Sequence, residues 1–146
     1  MALRGPAGDT GRAMSQENVE LVRRGYGAWL SPDPDALDAF FREHAAPDFE
    51  YQSRVLGRVF RGLDGLRSYT SELREIWGDY DLEPLEYIDL GDHVMSVSRL
   101  VARGVASGVP IDQPIIALWT IKDSKLARAT LFASKEEALE AVGLRE

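Results

Sequence analysis

The feature that most constrains the fold is a change in hydrophobic period after Gly78-Asp79. Before this point apolar residues recur every three to four positions, which is typical of amphipathic helices, and after it they alternate, which is typical of strands. Four strands are predicted, at Tyr80–Leu90, His93–Val105, Pro110–Lys122 and Lys125–Ser134. Because short turns at Gly91-Asp92, Ser107-Gly108 and Asp123-Ser124 join them, the pattern favours an antiparallel meander.

Helices are predicted on either side of this meander. The first begins at an N-cap at Ser15 and ends near Leu30, and the second covers Asp35–His44 until Ala46-Pro47-Asp48 stops it. A strand at Phe49–Ser53 and an irregular segment, 54–60, precede the third helix, which opens at Gly62–Gly65 with Asp64 as its N-cap; Ser134 caps a last helix, Lys135–Val142. Helices grouped against such a sheet predict an α+β fold: a cone-shaped, curved antiparallel sheet wrapped around three helices, with a short C-terminal helix.

Composition narrows the classes of function. The net charge of −7 argues against binding to nucleic acid or to an anionic membrane surface, because both need clustered Lys and Arg. The sequence contains no cysteine, so thiol nucleophiles and Cys-ligated metals are excluded, and no cluster of His or carboxylates has metal-ligand spacing. We expect a cytoplasmic protein in which residues 1–14 are a disordered tail or an extension and residues 15–146 form the domain.

Four segments carry a resemblance to known proteins: residues 15–20 (SQENVE), 59–66 (VFRGLDGL), 118–123 (LWTIKD) and 136–144 (EEALEAVGL). Together they resemble the SnoaL-like, ketosteroid-isomerase-like (nuclear-transport-factor-like) superfamily over residues 15–146. The resemblance implies a pocket in the cone for a small apolar molecule (polyketide-, steroid- or terpenoid-like), no cofactor, and a homodimer formed through the outer face of the sheet. It does not imply one reaction, because the fold hosts isomerases, cyclases, dehydratases, epoxide hydrolases and non-catalytic binders.

The resemblance to ketosteroid isomerases can be followed residue by residue. Tyr26 matches their oxyanion-donating Tyr on the first helix, although a Tyr that only packs the core fits the same position. Their general base falls on Ser53 and their second acid falls on Ala117. Neither side chain can remove a proton from carbon near neutral pH. Of the three catalytic groups of a ketosteroid isomerase, only the Tyr therefore has a counterpart in this sequence.

Two other reaction types in the superfamily were compared in the same way. Compared with epoxide-hydrolase-like members, Tyr51 and Arg99 match the expected residues, and Ser53 replaces an Asn that holds water. Val101 and Leu131 stand where their carboxylates are expected. SnoaL-type cyclases rely on one pocket Asp. The nearest candidate is Asp112, which alternation places on the opposite strand face from Gln113, Ile115, Ala117 and Trp119.

Arg99 leaves two alternatives open, since alternation puts it on one face with Met95, Val97 and Val101. If this face is concave, the buried cation needs a partner such as Glu50, Asp112 or an anionic ligand. If the face is convex, Arg99 lies in solvent or at a dimer interface.

The candidate catalytic residues are therefore Tyr26, Arg99 and Asp112, and the candidate ligand-binding residues are Tyr51, Ser53, Val97, Ala117, Trp119 and Leu131. Two functions are compatible with them. One is a small-molecule-binding domain with cofactor-independent isomerase, cyclase or hydrolase activity. The other is a non-catalytic ligand-binding or dimeric interaction module.

Overall fold

The computed structural model describes residues 5–54 and 56–143, and this part of the chain contains four helices and six strands. The helices are α1 (Gly5–Trp29), α2 (Ala36–His44), α3 (Gly62–Trp77) and α4 (Lys135–Ala141). The strands are β1 (Ala45–Ser53), β2 (Arg58–Arg61), β3 (Asp81–Asp89), β4 (His93–Arg103), β5 (Pro110–Lys122) and β6 (Lys125–Phe132). None of the described helices is long and apolar enough to cross a membrane.

The strands form one curved, open sheet in the order β2-β1-β6-β5-β4-β3. The antiparallel meander of β3 to β6 is confirmed. The sheet is nevertheless mixed, because β1 runs parallel to β6, so the prediction of a wholly antiparallel sheet is wrong at this pair. Parallel neighbours need a long crossover, and the chain between β1 and β6 provides one that includes α3 and most of the meander.

The turn between β5 and β6 has the backbone that a tight hairpin requires. Asp123 and Ser124 both have positive φ, at 53° and 63°, and they are the only non-glycine residues in the described part of the chain that do. Positive φ at both central residues is the property of the two-residue turns whose twist matches that of the strands. The turn therefore fixes the pairing of Lys122 with Lys125 that begins the β5–β6 register.

Helix α1 begins earlier than its sequence predicts. The helix starts at Gly5, so the predicted N-cap at Ser15 is wrong. Residues 5–14, which were predicted as a tail or extension, are helical. Residues 1–4 lie outside the described residues. The only proline in this stretch, Pro6, falls in the first helical turn, where its missing N–H has no intrahelical partner to lose. No later residue interrupts the helix before Trp29.

Helix α3 starts at Gly62, two residues before the predicted cap. Asp64 therefore lies in the first turn, where its charge suits the helix dipole, and Arg61 occupies the N-cap position. The next glycine permits close packing: a Cβ built on Gly65 would lie 2.7 Å from the carbonyl carbon of Phe60 on β2. This close approach holds α3 against the edge of the sheet.

Strand β1 begins at Ala45, immediately after α2, and so includes Pro47, which was predicted as part of a stop. The pairing of β1 with β6 shifts register between Ala45 and Glu50. A bulge of this kind is where a strand tolerates a proline, since Pro47 has no N–H to donate to a neighbour.

Two hydrophobic cores lie on opposite faces of the sheet. The larger fills the concave face beneath the first three helices and includes Val22, Phe49 and Leu66. The smaller lies on the convex face, where Met95 on β4 and Phe132 on β6 pack with Ala138 of α4. The prediction of a sheet wrapped around three helices with a separate C-terminal helix is thus confirmed, and part of the sheet is buried on both faces.

Candidate ligand-binding site

A cavity of about 400 Å³ lies between α1, α3 and the concave face of the sheet. The helices contribute one wall, which includes Tyr26, Trp29, Tyr69, Leu73 and Trp77. The strands contribute the other wall, which includes Tyr51, Ser53, Leu82, Leu100, Ile115 and Leu131.

The lining is aromatic and uncharged. Six aromatic side chains with a hydroxyl or indole group line the cavity: Tyr26, Trp29, Tyr51, Tyr69, Trp77 and Tyr80. None of the described residues that line it is an Asp, Glu, His, Lys or Arg. The polar side-chain groups of these lining residues are the tyrosine hydroxyls, the indole N–H groups, the Ser53 hydroxyl and the Gln113 amide. Such a surface binds through apolar contact and a few neutral hydrogen bonds.

Tyr26 extends from α1 to the sheet, and its side chain is buried. Its hydroxyl lies 2.8 Å from the Ser96 hydroxyl on β4, which also accepts a 2.8 Å hydrogen bond from the indole Nε1 of Trp119 on β5. Burial raises the pKa of Tyr26, and the neighbouring Ser96, Ser98 and Trp119 groups oppose that rise only in part. The phenol is consequently a neutral hydrogen-bonding group at physiological pH.

Tyr51 and Tyr69 form a second polar pair in the cavity wall, with ring centroids 4.6 Å apart. Burial, followed by the neighbouring Tyr69 phenol, raises the pKa of Tyr51 well above its usual range, and burial also raises that of Tyr69. Tyr80 accepts a 3.2 Å hydrogen bond from Nε1 of Trp29. The raised pKa values keep the Tyr51 and Tyr69 hydroxyls neutral, so both can form hydrogen bonds without carrying charge.

Four predicted site residues meet at this cavity: Tyr26, Tyr51, Ser53 and Leu131. Ser53 is partly committed, because its hydroxyl accepts a 3.0 Å hydrogen bond from the backbone N–H of Leu56. Ala117 and Trp119 lie on the same concave face but are buried in the core and do not line the cavity. Trp119 contacts the lining residue Tyr26 through its ring, at a centroid distance of 5.6 Å, and through Ser96.

Three predicted site residues lie on the convex face instead. Val97 packs against the smaller core, while the side chains of Arg99 and Asp112 are half-exposed and paired at 2.7 Å. The placement of these residues in the pocket is wrong because the concave face of β4 carries the even-numbered residues, Ser96 and Leu100 among them. The convex alternative for Arg99 is the one the structure takes, and the pair holds the pKa of Asp112 below its ordinary value.

Sequence reasoning missed Ser96, Ser98, Tyr80 and Gln113. A signal for two of them was present, because Ser96 and Ser98 alternate with Met95 and Val97 along β4. Serines at alternate positions resemble a solvent-facing pattern, although both are completely buried. The described residues also contain no group of three or more His, Asp or Glu side chains that could hold a metal ion.

Comparison with known proteins agrees with this fold. The model of the SnoaL-like domain family matches residues 22–129. Among proteins with curated descriptions, none matches the chain.

Solved structures of similar fold include a candidate SnoaL-like polyketide cyclase from Jannaschia sp. CCS1, with 23% identity, coverage of 80% of this chain and 85% of that one, and a TM-score of 0.67. TerC co-crystallised with polyporic acid has 20% identity, coverage of 85% and 96%, and a TM-score of 0.68. A ketosteroid-isomerase-like protein from Catenulispora acidiphila DSM 44928, in complex with trimethylamine, has 18% identity, coverage of 86% and 93%, and a TM-score of 0.65. At these identities the likeness concerns the fold alone.

Proposed function

Because the chain belongs to the SnoaL-like domain family, we propose that it binds a small, neutral, largely apolar molecule in the cavity between its helices and its curved sheet. The observation that carries this proposal is the lining of the cavity, which is aromatic and, among the described residues, uncharged. Its volume of about 400 Å³ lies within the range of small-molecule sites.

The charge of the ligand follows from the same lining. A charged group transferred from water into this cavity would lose its hydration without meeting an opposite charge on the described wall, which is unfavourable. A neutral molecule with one or two oxygen atoms suffers no such penalty, because the hydroxyls of Tyr26, Tyr51 and Ser53 can form hydrogen bonds with it. The polyketide-, steroid- or terpenoid-like class implied by the family resemblance meets this requirement.

Binding, rather than proton transfer at carbon, is the function that this lining supports best. Isomerase, cyclase or epoxide-hydrolase chemistry of the family type uses a carboxylate as a base, and the described lining residues include none. The nearest candidate, Asp112, is on the opposite face of the sheet.

Structural neighbours offer limited support, since TerC was crystallised with polyporic acid and the protein from Catenulispora acidiphila with trimethylamine. Those molecules belong to those proteins, and they support only the idea that cones of this fold hold small molecules. A homodimer through the convex face of the sheet is a further part of the proposal. It is supported by the exposed side chain of Val101, which alternates along β4 with Arg99, and equilibrium sedimentation at micromolar concentration would test it. A cytoplasmic location stays a prediction.

A matched pair of variants tests the proposed site. Tetralin, a neutral bicyclic hydrocarbon, serves as the probe, and its binding is followed by calorimetry. Leu73→Trp fills the cavity from α3 and should abolish binding, whereas Leu85→Trp makes the same change at a residue outside the lining and should retain it. Equal binding by both variants, or no binding by the unaltered protein, would overturn the proposal.

A further inference from the structure

A surface groove of about 640 Å³ adjoins the cavity, between the C-terminal end of α3 and the tip of the β4–β5 hairpin, residues 104–109. We call it the hairpin groove. The side chains of Ile76 and Trp77 line both the cavity and this groove. The other residues of its wall include Val105, Val109 and Ile111. The two spaces therefore meet at the end of α3.

The wall of the hairpin groove exposes apolar side chains that the fold leaves uncovered. Eight large hydrophobic side chains are exposed among the described residues, and three of them, Ile76, Val105 and Val109, lie in this wall, each more than half exposed. Val105 and Val109 lie between β4 and β5, in a turn segment of the kind that usually carries polar residues. A concentration of exposed apolar surface of this kind is typical of a binding site.

Backbone hydrogen bonds fix the hairpin tip and restrict what the groove can bind. The N–H of Val105 donates to the carbonyl oxygen of Ile76 at 2.8 Å, which ties the tip to α3. Within the tip, the N–H of Gly104 donates to the carbonyl of Val109, and the N–H of Val109 donates to the hydroxyl of Ser107. An extended peptide binds a strand through main-chain hydrogen bonds, and these donors are already engaged. The groove therefore favours a hydrocarbon chain, which needs only apolar contact.

We propose that the ligand of the cavity is elongated, with an alkyl chain that leaves the cavity past Ile76 and Trp77 and lies in the hairpin groove against Val105 and Val109. The inference rests on the proposed function, because it concerns the ligand of the same cavity and adds its shape. Continuity selects this occupant: Ile76 and Trp77 border both spaces, so a chain that starts in the cavity reaches the groove along them. Bound there, the chain removes the exposed apolar side chains from water.

The first experiment measures affinity against chain length by calorimetry. The probes are 3-phenylpropan-1-ol and 8-phenyloctan-1-ol, which are neutral and differ only in the length of the alkyl chain. Each methylene that leaves water raises affinity by up to about four-fold, so the longer probe should bind at least about 30-fold more tightly. A longer probe that binds no more tightly than the shorter one would overturn the inference.

A double variant of the hairpin tip, Val105→Ser with Val109→Ser, locates the chain. It reduces the apolar surface of the groove and leaves every described lining residue of the cavity unchanged. Affinity for 8-phenyloctan-1-ol should fall about ten-fold, while affinities for 3-phenylpropan-1-ol and tetralin stay within about two-fold. The matched control, Val59→Ser with Val101→Ser, alters two exposed valines that line neither space and should bind all three probes as the unaltered protein does.

The other outcomes of this comparison count against the inference in distinct ways. An equal loss for short and long probes, no loss, or the same loss in the control variant would contradict it. If the hairpin variant alone loses self-association in sedimentation, the groove is a contact between two copies of the chain and the inference is wrong. If tetralin does not bind the unaltered protein, the proposed function fails and the inference with it. If tetralin binds but chain length adds nothing, the inference alone fails.

A measurement on the unaltered protein decides the case if the hairpin variant does not fold. The methyl resonances of Val105 and Val109 should shift with 8-phenyloctan-1-ol and not with tetralin, because only the longer molecule reaches the groove. The methyl groups of Val59 and Val101 serve as the control and should respond to neither probe. Unshifted Val105 and Val109 methyl resonances when 8-phenyloctan-1-ol is bound would show that its chain lies elsewhere and would overturn the inference.

Discussion

Arg99 and Asp112 form a two-point ion pair across neighbouring strands on the convex face of the sheet: Nε of Arg99 donates to Oδ1 of Asp112 at 2.9 Å, and Nη2 donates to Oδ2 at 2.7 Å. Both are half-exposed and on the far side of the sheet from the cavity. Arg99 and Asp112, the two charged residues predicted as catalytic, therefore pair with each other at the solvent-exposed surface. The described residues that line the cavity are all uncharged.

This placement predicts that Arg99→Leu leaves ligand binding intact. The affinity for tetralin should stay within about two-fold of the unaltered value, because substitutions at exposed positions away from a site have small effects. Calorimetric titration measures it, with Leu73→Trp as the variant that should lose binding. Loss of tetralin binding in Arg99→Leu would indicate that this side chain lies in the pocket and would contradict its placement on the convex face.

Exposed ion pairs also predict how stability responds to acid. Hydrogen bonds from an arginine lower the pKa of three carboxyls: Asp38 beside Arg67, Glu72 beside Arg58, and Asp112 beside Arg99. A carboxyl whose pKa is lower in the folded state stabilises the fold above its unfolded pKa, and this stabilisation is lost as the pH falls through the folded value.

The midpoint of urea unfolding should accordingly decrease below about pH 4, the ordinary range of carboxyl groups. The triple variant Asp38→Asn, Glu72→Gln, Asp112→Asn should show a shallower decrease, since it lacks those titrating groups. Salt should have the same effect in the unaltered protein, because exposed pairs are screened. An identical acid profile for the triple variant would show that these pairs add nothing to stability.

Packing of α3 against the sheet is predicted to depend on Leu66, which is 1% exposed. Leu66→Ala should lower the free energy of unfolding by about 2–5 kcal/mol, through lost burial and the cavity left behind. The same change at Leu85, which is 56% exposed, should have little effect. Urea denaturation of both variants measures the difference, and a near-neutral Leu66→Ala would argue against this position for α3.

Two helical glycines provide a test with opposite signs. A Cβ on Gly65 would lie 2.7 Å from the backbone of Phe60, whereas one on Gly27 would meet nothing within 4 Å. Gly65→Ala should destabilise the protein because α3 must move away from β2. Gly27→Ala should stabilise it by about 0.5–1 kcal/mol, the usual advantage of alanine over glycine in a helix. Thermal unfolding distinguishes them; the same sign for both would contradict the close contact at Gly65.

The strands and turns of the meander were accessible from the sequence because each strand alternates and each turn carries turn residues. The sequence did not reveal which face of the sheet is concave. Met95 and Val97 are apolar because they pack against the smaller core on the convex face, and alternation alone does not distinguish this from packing on the concave face. Ser96, on the concave face, is polar because it bonds Tyr26 and Trp119. Hydrophobic alternation identifies a buried face, and here both faces are buried.

The parallel pairing of β1 with β6 could not be predicted from the sequence, for a different reason. A strand's own residues state its period but not its partner, and Ala45–Ser53 pairs with a strand that begins more than seventy residues later in the chain. The family resemblance predicted Tyr26, Tyr51, Ser53 and Leu131 as site residues on α1, β1 and β6, and all four line the cavity; their contact with a ligand stays a prediction.

The central claim is that the cavity, and not a surface, holds a neutral and largely apolar ligand. The most direct test is a crystal structure of the protein with tetralin. We predict density for tetralin inside the cavity, between Tyr51 and Leu131. Tetralin bound at the convex face beside Arg99, with none in the cavity, would contradict the claim.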